Sequence, residues 1–323
     1  MRAFRHLRVF RSFRALSVPV LATAMSMGGQ TATGTWARVA DMPTPRAAHA
    51  AAAGTDGIYV LGGTGGKGTP VLAVDRFDGT TWTTEGNIPG EGLNAPAAAI
   101  LGDALYLIGG FGTTTNRPTA AVHRYDLRKK TWSEAAPLAA PRGGHAATVL
   151  DGRIHVIGGG NSESTIDDHS VYDPRTNTWT ERARLPRRMG SPAATVLEGK
   201  LYSVGGRSGP GDFGDVHIYD PKADAWTAGP SIDARGTGGA TVLGGTIYYF
   251  GGESQARSVV LGDVLKLVPG AAAWTSDAAM PTPRNFARAV LFRGAVYIVG
   301  GSTQYGSSHA SIGSTVVERF SVQ

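Results

Sequence analysis

The chain of 323 residues contains no cysteine, which excludes disulfides, thiolate zinc sites and a cysteine nucleophile. Compartment stays open on that ground, because a cysteine-free chain suits an oxidising exterior and a reducing cytosol alike. There is no run of 18 apolar residues either, so no membrane span is expected. No HExxH helix, GxSxG elbow or GxxxxGK[ST] loop occurs, so catalytic residues are unknown and no cofactor is expected. An excess of one charge sign is also missing once the amino terminus is set aside. The formal +6 includes Arg2, Arg5, Arg8, Arg11 and Arg14, with no acidic residue among the first 35, and the remaining 26 basic and 25 acidic residues nearly cancel. With no cluster of Lys and Arg to neutralise phosphates, no nucleic-acid partner is expected.

The first 34 residues read as a targeting segment and linker. An Arg-rich start is followed by the apolar stretch Ala15 to Ala24, which ends in the small-x-small site Ala22-Thr23-Ala24. This pattern suits a signal peptide and a periplasmic or secreted protein. A long basic region and Pro19 also fit a transit peptide, and translation from Met25 or Met27 would leave the protein in the cytoplasm.

What the chain has in abundance is glycine, 46 residues without a three-residue period, which points to many tight turns. Glycine pairs end apolar runs at Gly62-Gly63, Gly109-Gly110, Gly158-Gly159, Gly205-Gly206, Gly251-Gly252 and Gly300-Gly301, spaced by 47, 49, 47, 46 and 49 residues. All six tryptophans, Trp36, Trp82, Trp132, Trp179, Trp226 and Trp274, keep the same period. Tyr59, Tyr106, His155, Tyr202, Tyr248 and Tyr297 stand three residues before the pairs, inside β-branched runs that read as buried strands. Upstream dipeptides such as Asp151-Gly152 and Glu198-Gly199 supply hairpin turns, and Tyr125-Asp126 or Tyr172-Asp173 ends a third strand before each Trp. Four short antiparallel strands per repeat make a propeller blade.

The glycine pair, the aromatic before it, the Tyr-Asp and the spaced Trp together resemble kelch repeats, over residues 35–323. The expected fold is therefore all-β, a six-bladed kelch-type β-propeller. Two departures are local: Leu267-Val268 replaces Tyr-Asp in the fifth repeat, and the second lacks the Arg found before the first strand elsewhere. Because Trp36 precedes the first glycine pair and no Trp follows the last, the amino-terminal strand is expected to complete the last blade and close the ring.

Residues that repeat belong to the scaffold, whereas breaks in the sixfold pattern mark a specific site. Arg46, Arg142, Arg235 and Arg284 read as structural ion-pair or carbonyl-binding residues, with Arg188 one position out of register. His49, His145 and His155 read as packing residues, His123 and His217 show no partner, and Asp167-Asp168-His169 reads as a loop cluster, so no metal is expected. After the glycine pairs stand Thr64, Phe111, Gly160, Arg207, Glu253 and Ser302. In ubiquitin-ligase adaptors with kelch propellers this place lines the ligand mouth. The resemblance thus implies ligand-binding roles for Arg207 and Glu253, with Phe111, Asn161, Gln304 and Tyr305 around them. The adaptors' ligand-binding Arg on the inner strand is absent, since Ala48, Gly144, Thr237 and Phe286 stand there. The expected function is a monomeric binding module for a protein or glycan. The alternative is an exported sugar-modifying enzyme, since bacterial N-acetylneuraminate epimerases resemble kelch propellers too. Copper-oxidase chemistry on a related propeller needs a cysteine that this chain lacks.

Overall fold

A computed structural model describes residues 33–209, 211–306 and 312–322. The Arg-rich start, the Ala22-Thr23-Ala24 site and both alternative start methionines lie outside the described residues. From Thr33 onward the chain forms six four-stranded antiparallel sheets, one per glycine pair, as the repeat predicts. Blade 1 is typical: Ala50–Ala53 is its inner strand, followed outward by Ile58–Leu61, Ala73–Phe77 and Trp82–Asn87. The inner hairpins turn where Asp151-Gly152, Glu198-Gly199, Gly244-Gly245 and Arg293-Gly294 all take positive φ, the geometry that matches strand twist. Ile58–Leu61, Ala104–Ile108 and Ala295–Val299 are buried along their whole length, and the other second strands are buried over most of theirs, because neighbouring blades cover both faces.

The sixth blade is built from both ends of the sequence. Thr35–Arg38 pairs antiparallel with Val317–Ser321, with Trp36 opposite Phe320, and sheet order then runs through Ala295–Val299 to Arg288–Phe292. The ring closes as expected.

Three belts of hydrogen bonds tie each blade to the next. Outermost, every Trp donates its Nε1–H to a backbone carbonyl at or just past the end of the preceding Trp strand, at 2.7–2.9 Å, from Trp82 to Ala40 round to Trp36 and Ala278. Further in, the second glycine of each pair donates its N–H to the carbonyl two residues before the left-handed residue that enters the following blade's inner strand, at 2.7–3.0 Å, as from Gly159 to Met189. This close approach explains the pairs: Gly158 has φ +60°, and a Cβ there would stand 2.5 Å from the Met189 carbonyl oxygen. Innermost, Ala48, Ala95, Gly144, Ser191, Thr237 and Phe286 all adopt left-handed φ of 49–62°. Each donates its N–H to the same position in the preceding blade, at 2.6–3.4 Å, and Ala48 completes the circle on Phe286.

The recurrent arginines are buried structural groups. Arg46 pairs with buried Asp75, Arg142 with Asp168 at 2.9 Å, Arg235 with Asp263 at 3.0 Å and Arg284 with Glu318 at 2.7 Å. Arg46, Arg142 and Arg284 also donate to the carbonyl of the first glycine of their own pair. In blade 4 the slot belongs to Met189, fully buried, and Arg188 is exposed, which accounts for its shifted register. In blade 2 buried Leu93 takes the place.

Candidate functional site

The position after each glycine pair faces one mouth of the propeller because the backbone holds it there. Thr64, Gly160, Arg207, Glu253 and Ser302 each form an antiparallel bridge with the residue just before the innermost belt, for example Arg207 with Gly190 and Glu253 with Gly236. Phe111 pairs likewise with Asn94. Side chains at this position therefore rise around the axis above the belt.

Arg207 of blade 4 and Glu253 of blade 5 meet there, with Arg207 Nη1 2.5 Å from Glu253 Oε1. The pair is not the exposed decoration that rim residues usually form. Glu253 is fully buried, and its Oε2 accepts from Asn285 Nδ2 at 2.7 Å and from the Gly306 N–H at 3.2 Å. A buried carboxylate needs such saturation, since desolvation otherwise outweighs the ion pair. Arg207 stays partly exposed, and its guanidinium lies 5.1 Å from the Phe286 ring centroid. Its remaining N–H donors have no partner among the described residues.

These groups line a cavity of about 410 Å³ that also takes in Phe111, Ser191, Gln255, Phe286 and Tyr305. Of the residues singled out from sequence, the cavity gathers Phe111, Arg207, Glu253 and Tyr305. Asn161 is spent locally, its Oδ1 accepting from the Glu163 and Ser164 amides, so it shapes a turn. Gln304 offers its backbone carbonyl to Asn285 Nδ2 and does not line the cavity. Phe286 was not expected as a wall. The signal was its bulk, at a belt position where the other five blades carry Ala, Gly, Ser or Thr.

Among the described residues His49, His145, His155, His169 and His217 are buried, and His123 is half-buried. His155 Nδ1 lies 2.9 Å from His169 Nε2, both buried beside Tyr219. Because the Ala183 carbonyl can only accept from His169 Nδ1, at 3.3 Å, His169 Nε2 is the acceptor and His155 the donor. Burial pushes His155 down to about 3 and His169 to about 4. The Asp167-Asp168-His169 cluster is thereby taken apart. Arg184 holds both aspartates and Arg142 holds Asp168, while His169 turns inward. His49 and His145 are buried at the base of their inner strands, and burial holds His145 down to about 3 and His49 well below its usual range. His123 packs edge-on against Trp132 at 6.3 Å.

Fold and mouth together define a closed propeller with a recess above the innermost belt. Residues 26–185 match the family model described as the KLHDC2/KLHL20/DRC7 Kelch-repeats domain, and residues 188–233 match the Kelch motif. The chain belongs to the kelch-repeat family. It is 31% identical over 137 residues to Kelch-like protein 35 of Mus musculus, covering 41% of this chain and 23% of that protein. It is 29% identical over 127 residues to N-acetylneuraminate epimerase of Shigella sonnei, covering 38% of this chain and 34% of that one. Each match thus spans well under two thirds of the relative's length. The solved structure of YjhT shares the fold with a TM-score of 0.75 at 17% identity, over 88% of this chain and 99% of its own. Among the described residues no helix is long and apolar enough to cross a membrane.

Proposed function

We propose that this kelch propeller is a binding module that grips a polar ligand, a glycan or a protein segment rich in hydrogen-bond acceptors, in the recess beside Arg207. The observation that carries this reading is a guanidinium fixed by a buried carboxylate and an aromatic face, with unused donors turned to the cavity. Fixing the donor beforehand lowers the entropy lost on binding. Since Glu253 neutralises Arg207, hydroxyl and carbonyl acceptors fit the site without needing a formal charge. Phe111, Phe286 and Tyr305 supply flat apolar walls for the ligand's less polar faces.

Binding is favoured over sugar-modifying chemistry by the state of the carboxylate. Acid–base catalysis needs a titrating group within reach of the substrate's proton. Glu253 is enclosed and already accepts three hydrogen bonds, and no histidine lines this recess among the described residues. Glycan arrays and peptide libraries presented to the full chain identify the ligand. The double variant Arg207→Gln/Glu253→Gln removes both charges together and leaves no buried charge unpaired. It is expected to melt within a few degrees of wild type and to bind at least tenfold more weakly, about 1.4 kcal/mol. Unchanged affinity would rule out the pair as the grip.

The same reading puts the protein outside the cytoplasm, supported by the five spaced arginines and the small-x-small site before Met25. A reporter fused to residues 1–30 is expected to leave the bacterial cytoplasm, with cleavage near Ala24. A mature protein that begins at Met25 through translation would overturn export.

A further inference from the structure

Beneath the innermost belt the propeller axis holds a second cavity, of about 130 Å³, separate from the mouth and walled by the inner strands of all six blades. The residue two places after each belt position is Ala50, Ala97, Ala146, Ala193 and Gly239 in five blades, and Arg288 in the sixth. One long cation thus stands among small apolar neighbours and lines the cavity.

Arg288 differs from the buried arginines, being half-buried and facing the cavity. Arg46, Arg142, Arg235 and Arg284 each reach a carboxylate, whereas Arg288 reaches none among the described residues. Among the described residues its one side-chain hydrogen bond, from Nη1 to the carbonyl of neighbouring Ala287, is long at 3.5 Å. No carboxylate among the described residues forms an ion pair with it. His145, which also lines the cavity, and His49 nearby are held neutral, with the Arg288 charge among the causes. Desolvation lowers Arg288 to about 10, which still leaves it fully charged at neutral pH. A guanidinium that faces the channel among small apolar side chains, with no carboxylate in reach, is a place for a counter-ion.

We propose that the axial cavity binds one small monovalent anion, a halide or a formate-sized carboxylate, on the Arg288 guanidinium. At roughly 30 Å³ per water, the space holds such an ion with a few waters and is too small for a sugar ring. The axial cavity shares Ala95, Gly144, Ser191 and Phe286 with the mouth and Ala51, Ala98, Ala147, Ala194, Ala240 and Ala289 with the opposite end of the channel, so an ion can enter from either side. The site does not depend on Arg207 or Glu253, so it stands or falls separately from the mouth ligand.

The test is the line width of the chloride-35 resonance with the full-length protein, titrated with sodium chloride at constant ionic strength. Wild type is expected to give a saturable broadening that sodium formate removes and sodium gluconate, too large for the cavity, does not. Arg288→Gln is expected to reduce that broadening at least tenfold, and Arg288→Lys to retain part of it. A folded Arg288→Gln with undiminished, formate-sensitive broadening overturns the site, as does wild type without a saturable component. Should Arg288→Gln fail to fold, wild-type crystals grown in sodium bromide decide: an anomalous peak beside the guanidinium supports the site, and an empty channel overturns it.

Discussion

A chain that begins at Thr33 is expected to melt cooperatively at the full-length temperature, and one that begins at Asp41 to melt at least about 10 °C lower or without a sharp transition. The second truncation removes a four-residue strand from the sixth blade. It also empties the slot in which Trp36 lies 5.0 Å from Phe320 and 6.0 Å from Phe250, both buried. Loss of a fully buried Trp costs about 3–5 kcal/mol, and half-buried Trp36 contributes toward the lower end of that range. The outer belt breaks at two adjacent links, since the Trp36 donor and the Ala40 carbonyl that accepts from Trp82 go together. At roughly 2 °C per kcal/mol for a chain of this size, the expected drop follows. Calorimetry on both truncations checks it, and equal melting temperatures would refute the closure.

Acid should weaken the protein well before its carboxylates titrate. His49, His145, His155 and His169 are all held below the ordinary histidine value by burial. A depressed folded value means that below about 6.5 the unfolded chain binds protons the folded one refuses, so stability falls as pH drops from 6.5 toward 4. At pH 5 His145, His155 and His169 each contribute a loss of about 2 kcal/mol, and His49 acts in the same direction. Together this reaches the lower end of the whole stability of a typical domain, about 5–15 kcal/mol. The His155–His169 contact adds repulsion once both rings are cationic at 2.9 Å. Urea unfolding at pH 7, 6 and 5 reads the slope directly. A flat profile over that interval would show that these rings titrate freely in the folded state.

The architecture was legible because a propeller repeats its physics. The same close approach of backbone needs a glycine pair in every blade, and the same inter-blade hydrogen bond needs a Trp, so six copies of each accumulate in one chain. Closure was legible for the same reason, from one Trp out of phase. The site was legible only in part. Arg207 and Glu253 stood out as unlike charges at equivalent positions. That Glu253 is buried depends on Asn285 and Gly306, more than 30 residues away and in another blade. Asn161 and Gln304 lie near the mouth in sequence, but local turn bonding decides where a loop side chain goes, and spacing does not encode it. The pairing of His155 with His169 was hidden because one belongs to a repeat position and the other to an acidic loop cluster. Arg288 did carry a signal, the single charge in a column of Ala and Gly.

The innermost belt bears on how such a mouth can change. Its six hydrogen bonds come from backbone alone, and its members, Ala48, Ala95, Gly144, Ser191, Thr237 and Phe286, share a conformation but no side-chain chemistry. An L-residue in that left-handed region carries a penalty of about 1 kcal/mol or more. The penalty falls on the main chain whatever follows Cβ. The aperture between recess and channel is thus drawn by peptide groups, while the groups that project from it are exchangeable. Selectivity at this floor can be rewritten one residue at a time, from methyl to hydroxyl to phenyl, without renegotiating how the blades are joined.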